Sequence, residues 1–583
     1  MTGAAVLAGL WLAAASMPAG PQQPMAVQPQ AGAGPEIVLP PRVGVEGGQP
    51  LRLTLAEAIR LTLEQNNDVV IARLEVDAAR QDIRAAEGVF DPRVLPAFSF
   101  QRTVSANTSA IGGAVNGRLE QDALVGGLGM EGRTPWAGGR FTVDFSSSRL
   151  KTSNQFARLN PQFPSAFGAS YVQPLFRGRT IDPERREILL ARRAADLTDR
   201  QLAQLLMDQL TLVEQAYWDL VFAAENLDIQ TTALRQAMSQ VASNERQVTE
   251  GTLAPIDVVE AQTQAATFRQ TVASAQQALT EAENRLKSLM LASRESPEWS
   301  RPIVPSEVAD RPGLALPLDE AVMLALARRP ELSALDTVRA QNEVDREFFS
   351  DQARPQFDVV GAYTLSGLAG ASLQSTGSPI GGSGSDAALL ARLNELSARA
   401  GLDELPTPPP TGSSVPEFLI GSYGDSLSNL FSRRYPTAFV QLQMELPIGN
   451  STARANLART RIAGAQIARQ RQQLEQAIQA QVRNSLQAVQ SSQQRLDAAS
   501  SARRNALEQY ESERRRFESG LSTVFLVLQR QTSLVTAQAR ELRARADLNQ
   551  AVSLFERAVG GTLERHGVRV GSAIARSRDR VIG

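Results

Sequence analysis

Few side chains in this sequence could carry out acid–base or nucleophilic chemistry. His566 is the only histidine, and the 583 residues include no cysteine. Without cysteine the chain forms no disulfide, thiolate metal site or thiol nucleophile, and histidine catalysis would depend on one position. Carboxylates are plentiful, but none lies in a glycine-rich phosphate loop, a metal-ligand cluster or a nucleophile motif. The sequence therefore predicts a protein that is not an enzyme and that has no metal or cofactor.

The charged residues also argue against a nucleic-acid partner. The chain has 60 basic and 61 acidic residues, which gives a formal net charge of −1. Such a balance produces no overall electrostatic attraction to a polyanion. We therefore expect no nucleic-acid partner.

The most informative polar side chains lie in a segment that alternates in hydropathy. Residues 438–446 predict a strand with one apolar and one polar face. The apolar face has Val440, Leu442 and Met444, and the polar face has Gln441, Gln443 and Glu445. The pattern fits a strand whose first set of residues faces lipid and whose second set faces a water-filled lumen. It fits a strand of a soluble sandwich equally well.

The elements that must position these residues occur in the same order twice. The run LTLAEAIRLTLEQNND at residues 53–68 returns as LPLDEAVMLALARRPE at residues 316–331. Each half then continues through β segments, a very long helix, a turn with one glycine and a returning helix. This repeat predicts one architecture made of two structural repeats, at residues 51–310 and 311–562. Residues 563–583 form a basic C-terminal tail.

The N-terminal 50 residues predict a targeting segment and a linker. Residues 4–15 are an apolar run, too short to span a bilayer, which small residues and prolines follow. This is typical of a secretory signal peptide, although no basic residue precedes it; a loose hydrophobic N-terminus is the alternative. Proline, glutamine and glycine then indicate an extended linker. No later segment approaches the roughly 20 apolar residues of a transmembrane helix.

Two very long helices end at single glycines. Residues 183–250 predict a helix of about 100 Å at 1.5 Å per residue, and residues 452–519 repeat that length. Apolar positions in the first helix step alternately by three and four, which indicates coiled-coil packing. Gly251 and Gly520 then predict left-handed helix ends that close tight helical hairpins. Pro255 begins one returning helix, and Ser522 or Thr523 caps the other.

This order of elements, with the motifs that mark it, resembles the TolC-type outer-membrane efflux proteins. The resemblance covers residues 51–562. Its motifs, besides the two hairpin turns, are L-x-L-x-E-A followed by a hydrophobic residue at Leu53–Ile59 and Leu316–Val322, and the strand ends Gln173–Phe176 and Leu446–Gly449.

The resemblance implies a homotrimer of mixed α/β, mostly helical subunits in the outer membrane. Each subunit would give four strands to a single twelve-stranded barrel, with long loops outside and a coiled-coil helical barrel in the periplasm. It implies a passive exit duct of a tripartite efflux or type I secretion system. The partners would be a periplasmic adaptor, an inner-membrane pump or ABC exporter, and outer-membrane lipid. Two alternating segments in excess of the family pattern, 119–126 and 141–145, either lengthen the first hairpin or form a surface cap.

The resemblance also assigns roles to the hairpin ends. The adaptor would contact Gly251, Thr252, Leu253, Gly520, Leu521 and Ser522. The pore entrance would include Asp257, Phe525, Leu526 and Gln529.

The entrance departs from the family pattern, which has acidic residues after both tip glycines. Asp257 fits that pattern, but the second half has Leu526 and Gln529, and Ser522 replaces an expected basic residue. We therefore hypothesise an apolar constriction of Val524, Phe525, Leu526 and Leu528. Packing of these residues against neighbouring helices is the alternative. For Asp257, the alternative to gating is stabilisation by the helix dipole.

A second function class remains compatible with the sequence. The chain could be a periplasmic or soluble coiled-coil scaffold with β inserts. That hypothesis leaves the signal segment, the amphipathic strands and the internal repeat unexplained. Solubility without detergent would distinguish it from a membrane duct.

Overall fold

The computed structural model describes residues 39–45, 49–108, 112–114, 116–306, 316–373, 384–406 and 415–568. The predicted signal peptide and most of the linker and of the basic tail lie outside these residues. The chain divides into two compact units. One unit consists of Met1–Glu46, Phe222–Glu281 and Ala498–Arg543, and the other of Gly47–Val221, Ala282–Asp497 and Ala544–Gly583.

The first half of the chain contains five strands and four helices among its described residues. They are β1 (Leu51–Leu53), α1 (Leu55–Gln65), α2 (Asn67–Glu87), β2 (Arg93–Ala106), β3 (Arg118–Arg133), β4 (Arg140–Thr152), β5 (Leu159–Pro174), α3 (Pro183–Thr249) and α4 (Pro255–Met290). None of the described helices of the chain is apolar enough over a sufficient length to cross a membrane.

The second half repeats the order with fewer strands and two additional short helices in a loop. Its elements are β6 (Ile303–Pro305), α5 (Leu318–Arg328), α6 (Pro330–Gln352), β7 (Gln356–Ser372), α7 (Gly384–Arg399), α8 (Tyr423–Phe431), β8 (Tyr435–Glu445), α9 (Ser451–Glu518), α10 (Val524–Val559) and α11 (Thr562–Arg565). Strand β1 pairs in parallel with β6.

The junction between α1 and α2 shows how local side chains end and restart a helix. Thr54 caps α1 in a reciprocal capping box, with 3.2 Å from the Glu57 amide to the Thr54 hydroxyl and 3.0 Å from the Thr54 amide to the Glu57 carboxylate. Asn66 caps α2 by accepting from the Val69 amide at 3.1 Å. Its amide nitrogen also donates to the Leu289 carbonyl at 2.9 Å, which ties the junction to α4.

A buried ion pair holds the end of α4 against the strand that follows. Lys287 and Glu283 are each 1% exposed and lie 2.7 Å apart. Lys287 also donates to the carbonyls of Trp299 and Arg301, both at 2.7 Å. Glu283 accepts from the Ile303 amide at 3.2 Å. The two buried charges are thus paired with each other and hydrogen-bonded to the backbone, as burial requires.

Hydrophobic packing follows the coiled-coil pattern of the long helices. Leu206, Leu210, Val213, Tyr217 and Leu220 from the predicted seam of α3 are all buried. In the larger unit, a second core joins α5, α6, α9 and α10. Its members include Leu332, Ile478, Val482, Val489, Val552 and Phe555.

The remaining strands form one antiparallel sheet of six, in the order β2-β3-β4-β5-β7-β8. The expectation of four strands per subunit is therefore wrong for this chain. Strands β3 and β4 are inserted between β2 and β5, and they pair along their lengths within the sheet. The surface-cap alternative is excluded for the same reason.

Glycines in β3 explain why the sequence analysis underestimated the length of this strand. Glycines are typical of connecting loops, but the glycines of β3 accommodate atoms of β4. A Cβ at Gly132 would lie 2.5 Å from the Phe141 ring, and one at Gly127 would lie 3.3 Å from the Phe145 carbonyl. An aromatic side chain that covers a glycine on the neighbouring strand stabilises such a sheet. The glycines therefore belong to the strand.

Candidate functional site

Two regions carry the predicted site residues, and the first is the six-stranded sheet. Successive residues of a strand point to opposite faces, and directly paired residues share a face. The pairing therefore assigns every side chain to one of two faces. One, which we term the apolar face, includes Val94, Phe98, Phe100, Leu124, Leu128, Met130, Phe141, Val143, Phe145, Phe167, Tyr171, Phe357, Val359, Tyr363, Leu365, Val440, Leu442 and Met444.

The opposite surface of the sheet, which we term the polar face, is composed mainly of polar and small residues. They include Ser99, Gln101, Thr103, Glu131, Thr142, Asp144, Ser146, Ser170, Asp358, Thr364, Gln441, Gln443 and Glu445. The two sets predicted from β8 thus lie on opposite faces. Their contact with lipid or with water stays a prediction.

The apolar face is open over much of its area. Phe98 is 76% exposed, Val440 82% and Leu442 64%. A continuous exposed apolar surface is unusual on a soluble protein and marks a protein or membrane contact. The sheet therefore needs an apolar environment on one side only.

The two edges of the sheet are also open. Strand β2 pairs only with β3, and β8 pairs only with β7, within the described part of the chain. Every residue of both edge strands is exposed. Each edge consequently presents a row of backbone groups with no partner strand.

The hairpin formed by β3 and β4 is inserted between β2 and β5. The turn that joins β3 to β4 is anchored to the end of β5 and the start of α3. Arg133 lies 2.5 Å from Glu184. The Gln173 amide donates to the Ala137 carbonyl at 2.7 Å. Gly138 has a φ of 68°, and a Cβ there would lie 2.3 Å from the Gly178 carbonyl, so only glycine fits the turn. These contacts make the insertion an integral part of the sheet.

Helix α8, which the sequence analysis did not predict, covers part of the apolar face. The hydroxyls of Ser165 on β5 and Ser426 on α8 lie 2.8 Å apart. Asn429 donates to the carbonyls of Leu368 at 3.0 Å and Phe418 at 2.6 Å. Gly367 makes this approach possible, because a Cβ there would lie 2.3 Å from the Ser426 carbonyl.

The detectable sequence signal for α8 was its capping box. Ser422 caps the helix, and Asp425 accepts from the Ser422 amide at 2.7 Å and from its hydroxyl at 3.1 Å. These bonds stabilise the carboxylate and hold the pKa of Asp425 below its usual value.

The second region is the pair of helical hairpin ends, which both belong to the smaller unit. Gly251 and Gly520 have φ values of 75° and 74°, as their sequence context predicted. Each turn has the same two bonds, from the glycine amide to the third residue before it and from the next amide to the fifth residue before it. Their lengths are 3.0 and 2.9 Å at the first turn and 2.9 and 2.8 Å at the second. Both are Schellman motifs.

The predicted tip residues differ in how free their side chains are. Leu521 is 72% exposed, whereas Leu253 packs against a cluster of Ala261, Val524 and Leu528. The Thr252 hydroxyl donates to the Gln247 carbonyl at 3.0 Å. The Ser522 hydroxyl bonds the buried Glu513 carboxylate instead of pointing outward.

The structure divides the residues that were proposed to form an apolar constriction. Val524 and Leu528 are 2% and 6% exposed and pack against α4, so the alternative of helix packing holds for them. Phe525 is 57% exposed, Leu526 is half-buried and Gln529 is exposed. Asp257 is half-buried, and its carbonyl accepts from Asn244 at 3.2 Å.

Two apolar side chains near the first hairpin end were missed by sequence reasoning. Ile256 and Val259, at the start of α4, are 62% and 54% exposed. Their helical spacing alone did not distinguish them from packed residues. Together with Leu521 and Phe525 they give the hairpin ends an exposed apolar character.

The described residues contain no cluster of metal-ligating side chains. No group of three or more acidic, histidine or cysteine side chains there could hold a metal ion. The only histidine, His566, lies 2.7 Å from the buried carboxylate of Glu214 on α3. This contact fastens the residues after α11 to the helical core.

Comparison with known proteins identifies the family. The model of the outer membrane efflux protein family matches residues 140–290 and 418–561, together half of the chain. The chain belongs to the outer membrane efflux protein family. A search of curated protein sequences gives no significant match.

Solved outer-membrane channels share the fold of this family member. CusC aligns with a TM-score of 0.57 at 16% identity, over 91% of this chain and 99% of its own. CmeC from Campylobacter jejuni gives 0.57 at 12% identity, over 93% and 97%. VceC from Vibrio cholerae gives 0.56 at 14% identity, over 87% and 96%. The mostly helical, TolC-type fold that the sequence predicted is thereby confirmed.

Proposed function

We propose that this efflux-family protein is a homotrimeric exit duct of a tripartite efflux or type I secretion system. Its strands lie in the outer membrane, its long helices extend into the periplasm and its longest loops face outside. It conducts substrate passively from an inner-membrane pump through a periplasmic adaptor and performs no catalysis. Family membership supports the channel class, and the tripartite assembly is our inference.

The observation that carries the proposal is the sheet with one exposed apolar face and one polar face. Lipid solvates the first, and a water-filled lumen solvates the second. A lipid-exposed sheet must also pair all its backbone groups, because hydrocarbon provides no hydrogen bonds. Association of several copies through the open edges satisfies that requirement. A soluble scaffold would leave Phe98, Val440 and Leu442 in water.

The hairpin ends supply the proposed adaptor contact. Gly251, Thr252, Gly520 and Leu521 present backbone and apolar surface there, and exposed Ile256 and Val259 extend it. Leu253 and Ser522 contribute by holding the turns in shape. Phe525, Leu526 and Gln529, with Asp257, form the proposed pore entrance.

Two adjacent substitutions on β8 test the membrane assignment. Val440→Arg places a charge on the apolar face, and Gln441→Arg places the same charge on the polar face. Arginine at the lipid face of a barrel costs about 2–4 kcal/mol near the bilayer midplane, whereas a lumen position tolerates charge. We expect V440R to lose assembled trimers and bilayer conductance, and Q441R to retain both.

The unmodified protein provides the baseline for this comparison. We expect it to require detergent, to have the mass of a trimer and to conduct ions in planar bilayers. A detergent-independent monomer without conductance would overturn the proposal and favour the scaffold. Equal behaviour of V440R and Q441R would reject the assignment of the two faces.

A further inference from the structure

We propose that the membrane barrel of this protein has eighteen strands, in which β8 of each copy pairs with β2 of the next. This inference rests on the homotrimer of the proposed function and departs from the twelve strands that the family resemblance implied. It concerns the wall of the duct and therefore the size of solute that the wall admits. Four features of the sheet support it.

The first feature is that the sheet has two open edges, formed by β2 and β8. Strand β2 offers 14 residues and β8 offers 11, all of them exposed. Hydrocarbon offers no hydrogen-bond partner to an unpaired backbone group, which is why sheets cross membranes only as closed barrels. Both edges must therefore acquire a partner strand, and the partner we assign is the other edge of a second copy.

The second feature is strand direction. All five pairings within the sheet are antiparallel, so the first strand, β2, and the sixth, β8, run in opposite directions. When one copy follows another around a ring, β8 meets β2 in antiparallel orientation. The contact joins two different surfaces of identical chains, which is the arrangement that generates closed rings.

The third feature is continuity of the two faces. Val94, Phe98 and Phe100 of β2 lie on the apolar face, as do Val440 and Leu442 of β8. The residues directly next to each of these in the sequence lie on the polar face. A junction that keeps this register continues the apolar residues of one copy onto the same face of the next, whereas a shift by one residue would reverse one strand.

The fourth feature is that the insertion consists of two strands. Adding β3 and β4 between β2 and β5 preserves the alternation of direction, which one added strand would destroy. The ion pair between Arg133 and Glu184 and the bond from Gln173 to Ala137 fix the added hairpin in the wall. Three copies of a six-stranded sheet therefore close with eighteen strands.

The size of the wall follows from the strand count. With strands about 4.8 Å apart and tilted by about 40°, eighteen strands give a backbone diameter of about 36 Å. Twelve strands give about 24 Å by the same geometry. Porins with 16–18 strands enclose an aqueous channel. We infer that the barrel wall of this duct admits larger solutes than a twelve-stranded wall does.

Cysteine cross-linking tests the junction directly, because the chain has no native cysteine. Ser99→Cys on β2 is combined in turn with Thr437→Cys, Gln441→Cys and Gln443→Cys on the polar face of β8. Oxidation of the detergent-solubilised protein should yield covalent dimers and trimers at one or two neighbouring β8 positions. Val440→Cys and Leu442→Cys are matched controls, since they lie on the apolar face and should give no ladder with Ser99→Cys.

Electron microscopy of the same samples measures the wall. We expect threefold particles whose barrel is about 36 Å across at the backbone. A size standard comes from a variant in which residues 107–158 are replaced by a short glycine–serine turn, so that β2 meets β5. That variant should measure about 24 Å. If it fails to fold, the diameter of the full chain still decides.

The outcomes separate this inference from the proposed function. A conducting trimer that measures about 24 Å would overturn the eighteen strands and leave the duct intact. A ladder that ends at the dimer, or equal cross-linking from both faces of β8, would also overturn the inference. An unmodified chain that neither forms trimers nor conducts would overturn the proposed function itself.

Discussion

The paired long helices of the two halves have almost equal lengths, whereas the two halves differ in their number of strands. Helices α3 and α9 have 67 and 68 residues, and α4 and α10 have 36 each. The large sheet, by contrast, takes four strands from the first half and two from the second. A coiled coil keeps its packing only if partner helices stay in register, whereas a sheet can gain a hairpin without disturbing its neighbours. Coiled-coil packing thus constrains the lengths of the helices, whereas the number of strands in the sheet can increase.

The helix junctions of the two halves also differ in chemistry. Asn66 caps α2, and Arg329 occupies the equivalent position before α6. Arg329 is buried and lies 2.6 Å from Glu331 and 2.5 Å from Gln481. Burial disfavours the charged form of Glu331, but hydrogen bonds from Arg329 and the charges of Arg329 and Arg557 outweigh it. The pKa of Glu331 is therefore held below its usual value.

The largest expected effect comes from breaking this second junction. Arg329→Met leaves Glu331 without its main partner, and removing one side of a buried pair costs about 3–5 kcal/mol. Asn66→Ala, the matched change in the first half, removes a cap worth about 1 kcal/mol and a hydrogen bond to the Leu289 carbonyl worth about 0.5–1.5 kcal/mol. Thermal unfolding in detergent, followed by circular dichroism, should show a clearly larger shift for R329M. Equal shifts would mean that Arg329 and Asn66 contribute equally to stability, which would contradict this prediction.

An intermediate, functional effect is expected at the hairpin ends. Leu526 follows Gly520 by the same interval at which Asp257 follows Gly251. Leu526→Asp therefore makes the second entrance residue acidic like the first. If Phe525 and Leu526 form an apolar constriction, the charge should hydrate it and raise resting conductance in planar bilayers several-fold. Asp257→Leu, the reverse swap, should not raise it. Unchanged conductance of L526D would remove the apolar gate.

The smallest effect concerns the first turn of α1. Thr54→Ala should destabilise the protein by about 1 kcal/mol at neutral pH, because it removes the hydroxyl of the capping box. The equivalent Pro317 before α5 makes no side-chain cap bond, so Pro317→Ala should change stability less. Urea unfolding in detergent compares the two. A larger loss in P317A would contradict this account of the caps.

Acid should reduce the effect of Thr54→Ala. Hydrogen bonds from the Thr54 amide and hydroxyl hold the pKa of Glu57 below its usual 4.5. A lowered folded-state pKa stabilises the protein above the unfolded pKa, and this contribution disappears as pH falls through the folded value. The stability difference between wild type and T54A should therefore shrink at the acid end of a pH series.

The contrast between the helices and the sheet explains which elements could be predicted from the sequence. Long helices and their glycine turns were predictable, because a sustained apolar period and a left-handed glycine are local signals. The length of strand β3 was underestimated because its glycines resemble a loop until Phe141 is placed against Gly132. Helix α8 was missed because its position depends on Ser165 and Gly367, which are distant in sequence.

The entrance residues show the same limit. Val524 and Leu528 have the same apolar character as Phe525, yet they are buried because α4 passes beside them. Ile256 and Val259 are exposed because no described helix covers them. Helical spacing identifies an apolar stripe, but only the neighbouring helices determine which members of the stripe are covered.

The distribution of lysine has a practical consequence for labelling chemistry. The chain has two lysines, and Lys287 is enclosed with Glu283 and two carbonyls at the end of α4. Lys151 lies near the end of β4 that adjoins the β4–β5 loop, and it is exposed. Amine-reactive dyes would thus attach, apart from the terminal amine, at a single site. A fluorophore introduced by this simple reaction would report from the loop-side rim of the sheet without any mutation.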